Sequence, residues 1–207
     1  MNSYKPTVFL VDDDNAVRDA LELLLGSAGL RTMSYPSAAA FLEKFDRNCR
    51  GCLVLDIRMP GMSGMELQTA LVEKSIHIPI IFLTGHGNVT MSAKAFRTGA
   101  IDFLEKPFDE NVLLERIQEA MQLDQSNQAL AARRADASTR LAALTPRERE
   151  VMLLIVAGNA NKEIATKLDL STRTIETHRG RILEKTGAQS LADLIELAIA
   201  SGSRELK

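Results

Sequence analysis

Four apolar residues, Cys52-Leu53-Val54-Leu55, stand between Gly51 and the acid Asp56, and Pro60 closes the stretch. A run this short and this uniformly apolar suits a strand covered on both faces. Such strands belong inside parallel sheets, whose crossover connections are helices. The acid at its end then lies in the crevice at the carboxyl edge of the sheet, where open α/β folds bind ligands. Met59-Pro60-Gly61-Met62-Ser63-Gly64 prolongs neither strand nor helix, which leaves Asp56 on an exposed rim.

The rest of the N-terminal half repeats this pattern. Val8-Phe9-Leu10-Val11 runs into Asp12-Asp13-Asp14, Ile80-Ile81-Phe82-Leu83 ends at Thr84-Gly85-His86-Gly87, and Asp102-Phe103-Leu104-Glu105 leads to Lys106-Pro107. A short strand is expected over residues 31–35. Helical spacing appears between the strands: Val17, Ala20, Leu21, Leu24 and Ala28 with Gly29 to end them, residues 38–45 behind a capping Ser37, and residues 64–73, 89–98 and onward from Glu110. Five strands alternating with helices predict an α/β domain, a doubly wound parallel sheet with helices on both faces. With the first and third strands central, Asp12, Asp13 and Asp14 converge on Asp56.

The second half is all-α. From Leu114 onward Ile117, Ala120 and Met121 keep helical spacing, and neither Gly nor Pro appears until Pro146. Residues 123–143, rich in Ala, Gln, Arg and Asp, read as a helical linker that buries little. Thr145-Pro146-Arg147-Glu148 is a helix-start signal, and three more helices are expected over 161–168, 172–186 and 190–200. The tight turn at Asp169-Leu170 makes the second and third a helix-turn-helix. The expected domains are therefore 1–122, 123–143 and 144–207. Residues 1–122 carry 12 Lys and Arg against 16 Asp and Glu, and residues 123–207 carry 13 against 11. An acidic half followed by a mildly basic half implies different partners.

No apolar run approaches the ~20 residues of a membrane span, and no basic-then-apolar signal opens the chain. The expected location is the cytoplasm, with no membrane partner. Cys49 and Cys52 have C-x-x-C spacing, but Cys52 enters a buried strand and no second pair completes a zinc site. Packing is the expected role of both.

Carboxylates gathered at one sheet edge repel one another unless a cation sits among them. Mg2+ suits hard oxygen ligands, keeps waters and works with phosphate. A carboxylate held beside it stays ionised and can attack phosphorus, giving an aspartyl phosphate. The Thr84 hydroxyl and the Lys106 ammonium, each at a strand end, are donors for the phosphate oxygens.

Val11-Asp12-Asp13, Asp56, Met59-Pro60, Thr84 and Lys106-Pro107-Phe108 resemble the receiver domain of two-component response regulators. The resemblance implies a flavodoxin-like sheet of order 2-1-3-4-5. It also implies that Asp56 is the phosphoacceptor and that Asp13 and Asp56 ligate Mg2+ directly. Asp12 would act through a metal-bound water, and the Arg58 backbone carbonyl would complete the protein ligands. Thr84 and Lys106 would contact the phosphate, Thr84 and Phe103 would form a switch, and Lys106–Pro107 would be cis. Thr84-Gly85-His86-Gly87 further resembles the FixJ branch of the NarL/LuxR-type regulators, with departures at Asn88 and Thr90.

Leu144-Thr145-Pro146-Arg147-Glu148-Arg149-Glu150-Val151, Asn161-Lys162-Glu163-Ile164-Ala165 and Thr174-Ile175-Glu176-Thr177-His178-Arg179 resemble the LuxR-type DNA-binding domain. Residues 172–186 would be its recognition helix. Arg173, Arg179, Arg181 and Lys185 would reach phosphates of double-stranded DNA, and Glu176, Thr177 and Gly180 would face base edges. The implied protein is a transcription factor, dimeric on phosphorylation or on DNA, that takes phosphate from a histidine kinase; contact with RNA polymerase stays open. It is expected to be no enzyme beyond limited self-catalysed phosphorylation and dephosphorylation. An aspartate-nucleophile phosphatase would need an acid two residues after Asp56, where this chain has Arg58. A receiver that works without phosphate would not need Asp13, Asp56, Thr84 and Lys106 together.

Overall fold

The computed structural model describes residues 5–46, 49–85 and 100–202. The chain divides into two compact units, Met1–Asn127 and Gln128–Lys207.

In the first unit five short strands alternate with helices: β1 (Thr7–Val11), α1 (Asn15–Ser27), β2 (Arg31–Tyr35), α2 (Ala38–Lys44), β3 (Gly51–Asp56), α3 (Gly64–Glu73), β4 (Ile80–Thr84) and β5 (Asp102–Glu105). All pair in parallel, in the order β2-β1-β3-β4-β5. Every residue of β3 is buried, as its unbroken apolar run requires. Alternation sends Phe9, Val11, Leu53, Leu55 and Phe82 into one core layer with Phe41, Leu67 and Leu71. Leu10, Val54, Ile81 and Leu83 go to the other, with Leu21, Leu25, Leu113 and Ile117. Local signals set the helix starts. Ser37 and Asp14 cap α2 and α1, and Ser63 with Glu66 forms a capping box on α3. The helix expected over 89–98, with His86, Asn88 and Thr90, lies outside the described residues.

Helix α4 (Glu110–Ala142) runs through the stretch expected to be a linker. That stretch is helical, but its ends do not bury little. Asp124 is buried among the residues of the first unit, and Ala137 and Leu141 are core residues of the second. Residues 129–136 between them are exposed. Buried positions 113, 117, 120 and 124 follow one face of the helix, so an apolar face continues with an acid on it.

The second unit packs the last turns of α4 with α5 (Pro146–Val156), α6 (Asn161–Leu168), α7 (Thr172–Thr186) and α8 (Leu191–Ala200). Val151, Met152, Ile155, Ile164, Ile175, Ile182 and Leu194 form the core with Ala137 and Leu141. Thr145 and Glu148 form the expected capping box, with Pro146 in the first turn of α5. Asp169 ends α6 in the left-handed conformation, and Ser171 caps α7, which gives the tight turn of a helix-turn-helix. Among the described residues no helix is long and apolar enough to cross a membrane.

Candidate functional site

Sheet register brings the expected acids to one edge. Val11 pairs with Leu55 and Asp56 with Leu83, so Asp12, Asp56 and Thr84 follow one another across three neighbouring strands. Thr84 pairs with Glu105, and its carbonyl accepts the Lys106 N–H at 2.7 Å, which sets Lys106 at the same edge. The Lys106–Pro107 bond is cis, as expected. Gly64 allows α3 to begin against the end of β3: a Cβ there would lie 2.3 Å from the Asp56 carbonyl oxygen.

The centre of the edge is an ion triad. Lys106 Nζ lies 2.7 Å from Asp12 Oδ2 and 2.7 Å from Asp56 Oδ1. The other Asp56 oxygen accepts the Arg58 N–H at 2.7 Å, and Asp12 Oδ1 accepts the Asp14 N–H at 2.9 Å. Asp12 and Asp56 are 3% and 7% exposed. Burial pushes the Asp56 carboxyl above its ordinary range, helped by the Asp12 charge and opposed by Lys106. Burial works against the Lys106 ammonium, yet the two carboxylates hold its pKa above the ordinary value. One ammonium therefore serves both acids.

Asp13 is exposed and forms no ion pair or side-chain hydrogen bond among the described residues. Asp12 and Asp56 thus share a single ammonium, Asp13 stands beside them with no cation among the described residues, and Asp13 and Arg58 line one pocket at this rim. This donor set, all hard oxygen, fits Mg2+. Among the described residues no three acid, imidazole or thiolate side chains gather as a metal cage. Mg2+ is commonly bound through one or two carboxylates with several of its waters retained.

One residue at this edge escaped the sequence reading, and a second has a role that it did not give. Arg18 Nη1 donates to the Asp12 carbonyl at 2.7 Å and Nη2 to Asn15 Oδ1 at 2.9 Å, which ties α1 to the acid-bearing loop. Asp14 is exposed, and its carboxylate accepts the Ala16 N–H and caps α1. An acid just before a helical pattern was the available signal for Asp14. Phe103 is half-buried on β5, its ring 6.4 Å from that of Phe82. Both cysteines are free, and burial pushes the Cys52 thiol up to about 12, which suits a packing role.

The second site is the outer face of α7. Ile175 and Ile182 are fully buried, and Arg173, Glu176, Thr177, Gly180 and Arg181 share the exposed face opposite. Glu176 makes no ion pair among the described residues, with Arg173 and Arg179 included. Arg179 is half-buried and donates to Asn161 Oδ1 at 3.3 Å. Lys185 turns away from its expected company: its ammonium lies 2.7 Å from Glu148 Oε2. The lysine, followed by the Thr145 N–H, holds the Glu148 carboxyl down to about 2. Thirty-seven residues separate the two in sequence, and no local pattern links them.

Two family profiles cover most of the chain. The response regulator receiver domain matches residues 8–118, and the luxR family of bacterial regulatory proteins matches residues 142–198. Nodulation protein W of Bradyrhizobium diazoefficiens is 40% identical over 200 residues, covering 97% of this chain and 88% of that protein. The transcriptional regulatory protein FixJ of Azorhizobium caulinodans is 42% identical over 197 residues, covering 94% and 92%. Among solved structures, the response regulator StyR is 43% identical with a TM-score of 0.84, covering 94% of this chain and 98% of that one. Full-length FixJ from B. japonicum is 39% identical with a TM-score of 0.58, covering 97% and 99%.

Proposed function

Because this chain belongs to the response regulators that join a receiver domain to a LuxR-type DNA-binding domain, and so is a phosphorylation-dependent transcription factor of a two-component system, we propose that Asp56 is its phosphoacceptor and α7 its reader of DNA. The observation that carries the first half is the triad: a buried Asp56 at a strand end, bridged by Lys106 to Asp12. A partner histidine kinase brings the phosphoryl group. An Asp56 oxygen forms a bond to phosphorus as the phosphorus–nitrogen bond of the kinase's phosphohistidine breaks, and the imidazole leaves as the neutral base once it takes a proton.

Asp13, Asp56 and the Arg58 carbonyl would hold Mg2+, with Asp12 acting through one of its waters; the ion supplies positive charge beside the incoming phosphoryl oxygens. Lys106 transfers its hydrogen bond from Asp56 to a phosphate oxygen, and Thr84 donates its hydroxyl to another. Movement of Thr84 draws Phe103 inward, and the altered face promotes dimerisation. On DNA, Arg173, Arg179 and Arg181 hold phosphates while Glu176, Thr177 and Gly180 face base edges. Lys185, spent on Glu148, is a support of the fold in this reading. A carboxylate is repelled by phosphates, so Glu176 suits the exposed amino group of cytosine.

The test is incubation with Mg2+ and acetyl phosphate followed by intact mass. Wild type should gain one phosphoryl group, and Asp56→Asn should gain none. A full gain on Asp56→Asn would end the assignment. A binding-site selection with Glu176→Ala should lose preference at one base pair per half-site, and an unchanged preference would end that part.

A further inference from the structure

We infer that Arg140, in the last turns of α4, is a positioning residue for α7 and sets how the exposed face of that helix meets DNA. The inference rests on the reading of α7 as the DNA-contacting helix. Arg140 lies outside both matched stretches, 8–118 and 142–198, so the family profiles assign it nothing.

The carboxyl end of α7 is where Arg140 acts. Its Nε donates to the Thr186 carbonyl at 2.6 Å, one of the last orphan acceptors of the helix. Gly187 closes α7 with φ 65, and a Cβ there would come within 3.3 Å of Arg140 Nη2. The guanidinium therefore lies against the cap itself, with its charge where the helix dipole is negative. Its own placement is fixed. Ala137 and Leu141, on either side, are 1% and 2% exposed in the core, and Nη1 lies 3.5 Å from Asp136 Oδ2.

Leverage makes this matter for recognition. A helix of 15 residues is ~22 Å long, and the residues that face DNA lie toward its amino end and middle. Ser171 holds the amino end through the Thr174 N–H, and Ile175 and Ile182 hold the inner face. Arg140 holds the remaining end. A slip of ~1 Å there carries base-edge contacts out of hydrogen-bond range, while phosphate contacts made by long, flexible side chains adjust.

The test uses the full chain as wild type, Arg140→Ala and Arg140→Lys. Each is titrated at three salt concentrations with a duplex that wild type selects from a random pool and with a scrambled duplex, and each is melted. Arg140→Ala should weaken binding to the selected duplex about tenfold. Binding to the scrambled duplex and the slope of affinity against salt should stay unchanged. Arg140→Lys, which keeps the charge and one donor within reach, should recover most of the loss.

Equal loss on both duplexes, or a salt slope smaller by ~1, would make Arg140 a phosphate contact and overturn the inference. So would unchanged affinity. A loss that follows the fall in melting temperature and is not recovered by lysine would reduce Arg140 to a stability residue. If wild type selects no duplex at all, the DNA reading of α7 falls first and the inference with it.

Discussion

Burial holds the Asp56 carboxyl above its ordinary range although Lys106 pulls the other way. An acid whose folded pKa is raised favours the fold below its unfolded pKa and loses that contribution as pH rises through the folded value. Once ionised, Asp56 is therefore a liability to the receiver. Asp56→Asn, which removes the charge and keeps the shape, should stabilise the first unit by roughly 0.5–2 kcal/mol in denaturant titration while abolishing phosphate uptake. Lower stability in that variant would mean that the pairing with Lys106 outweighs burial. Glu148 is the opposite case. Its carboxyl falls from an ordinary 4.5 to about 2, so its contribution is fully present above pH 4.5 and lost as pH falls through about 2. Glu148→Gln should cost the second unit about 1–3 kcal/mol at neutral pH and flatten its acid denaturation. A melting temperature that is unchanged at pH 7 would contradict this.

At the scale of elements, the strands and most helices were legible because their causes are local. The apolar run of β3 shows burial on both faces, and Ser37 and Thr145 each announce a helix start. The acid edge was legible too, since strand ends in one sheet must converge. What was not legible lies across the chain. Lys106 bridges Asp12 and Asp56, Lys185 finds Glu148, and Arg140 finds Thr186, all through tertiary packing that no periodicity encodes. Helix α4 was half legible: its residues read as helix, but the burial of Ala137 and Leu141 depends on α5, α7 and α8 closing over them. A fragment that begins at Gln128 should therefore fold and bind DNA. One that begins at Thr145 lacks Ala137, Leu141 and Leu144 and should melt at least 10 °C lower, given about 2 kcal/mol or more for a buried leucine. Equal melting temperatures for the two fragments would show that the end of α4 is dispensable.

For the molecule as a whole, control by phosphate is a matter of differential binding. A swing from 1:99 to 99:1 demands ~5.5 kcal/mol, whereas couplings between sites are typically about 1–3 kcal/mol. Phosphorylation should therefore raise affinity for a selected duplex by about 5- to 150-fold, measured with and without acetyl phosphate. Equal affinities would place control at a step other than DNA binding. One further bond bears on how such a change is timed. Asp124, on α4, accepts the Gly51 N–H at 3.0 Å, at the first residue of the strand that ends in Asp56. Both partners are buried, and a Cβ on Gly51 would strike the Thr7 carbonyl oxygen at 1.9 Å, so only glycine brings the two backbones so close. In heavy water that amide cannot trade its proton while the carboxylate covers it. Its deuteration is a clock for the lifting of this turn of α4 from the sheet, readable at one NMR peak in a chain of 207 residues.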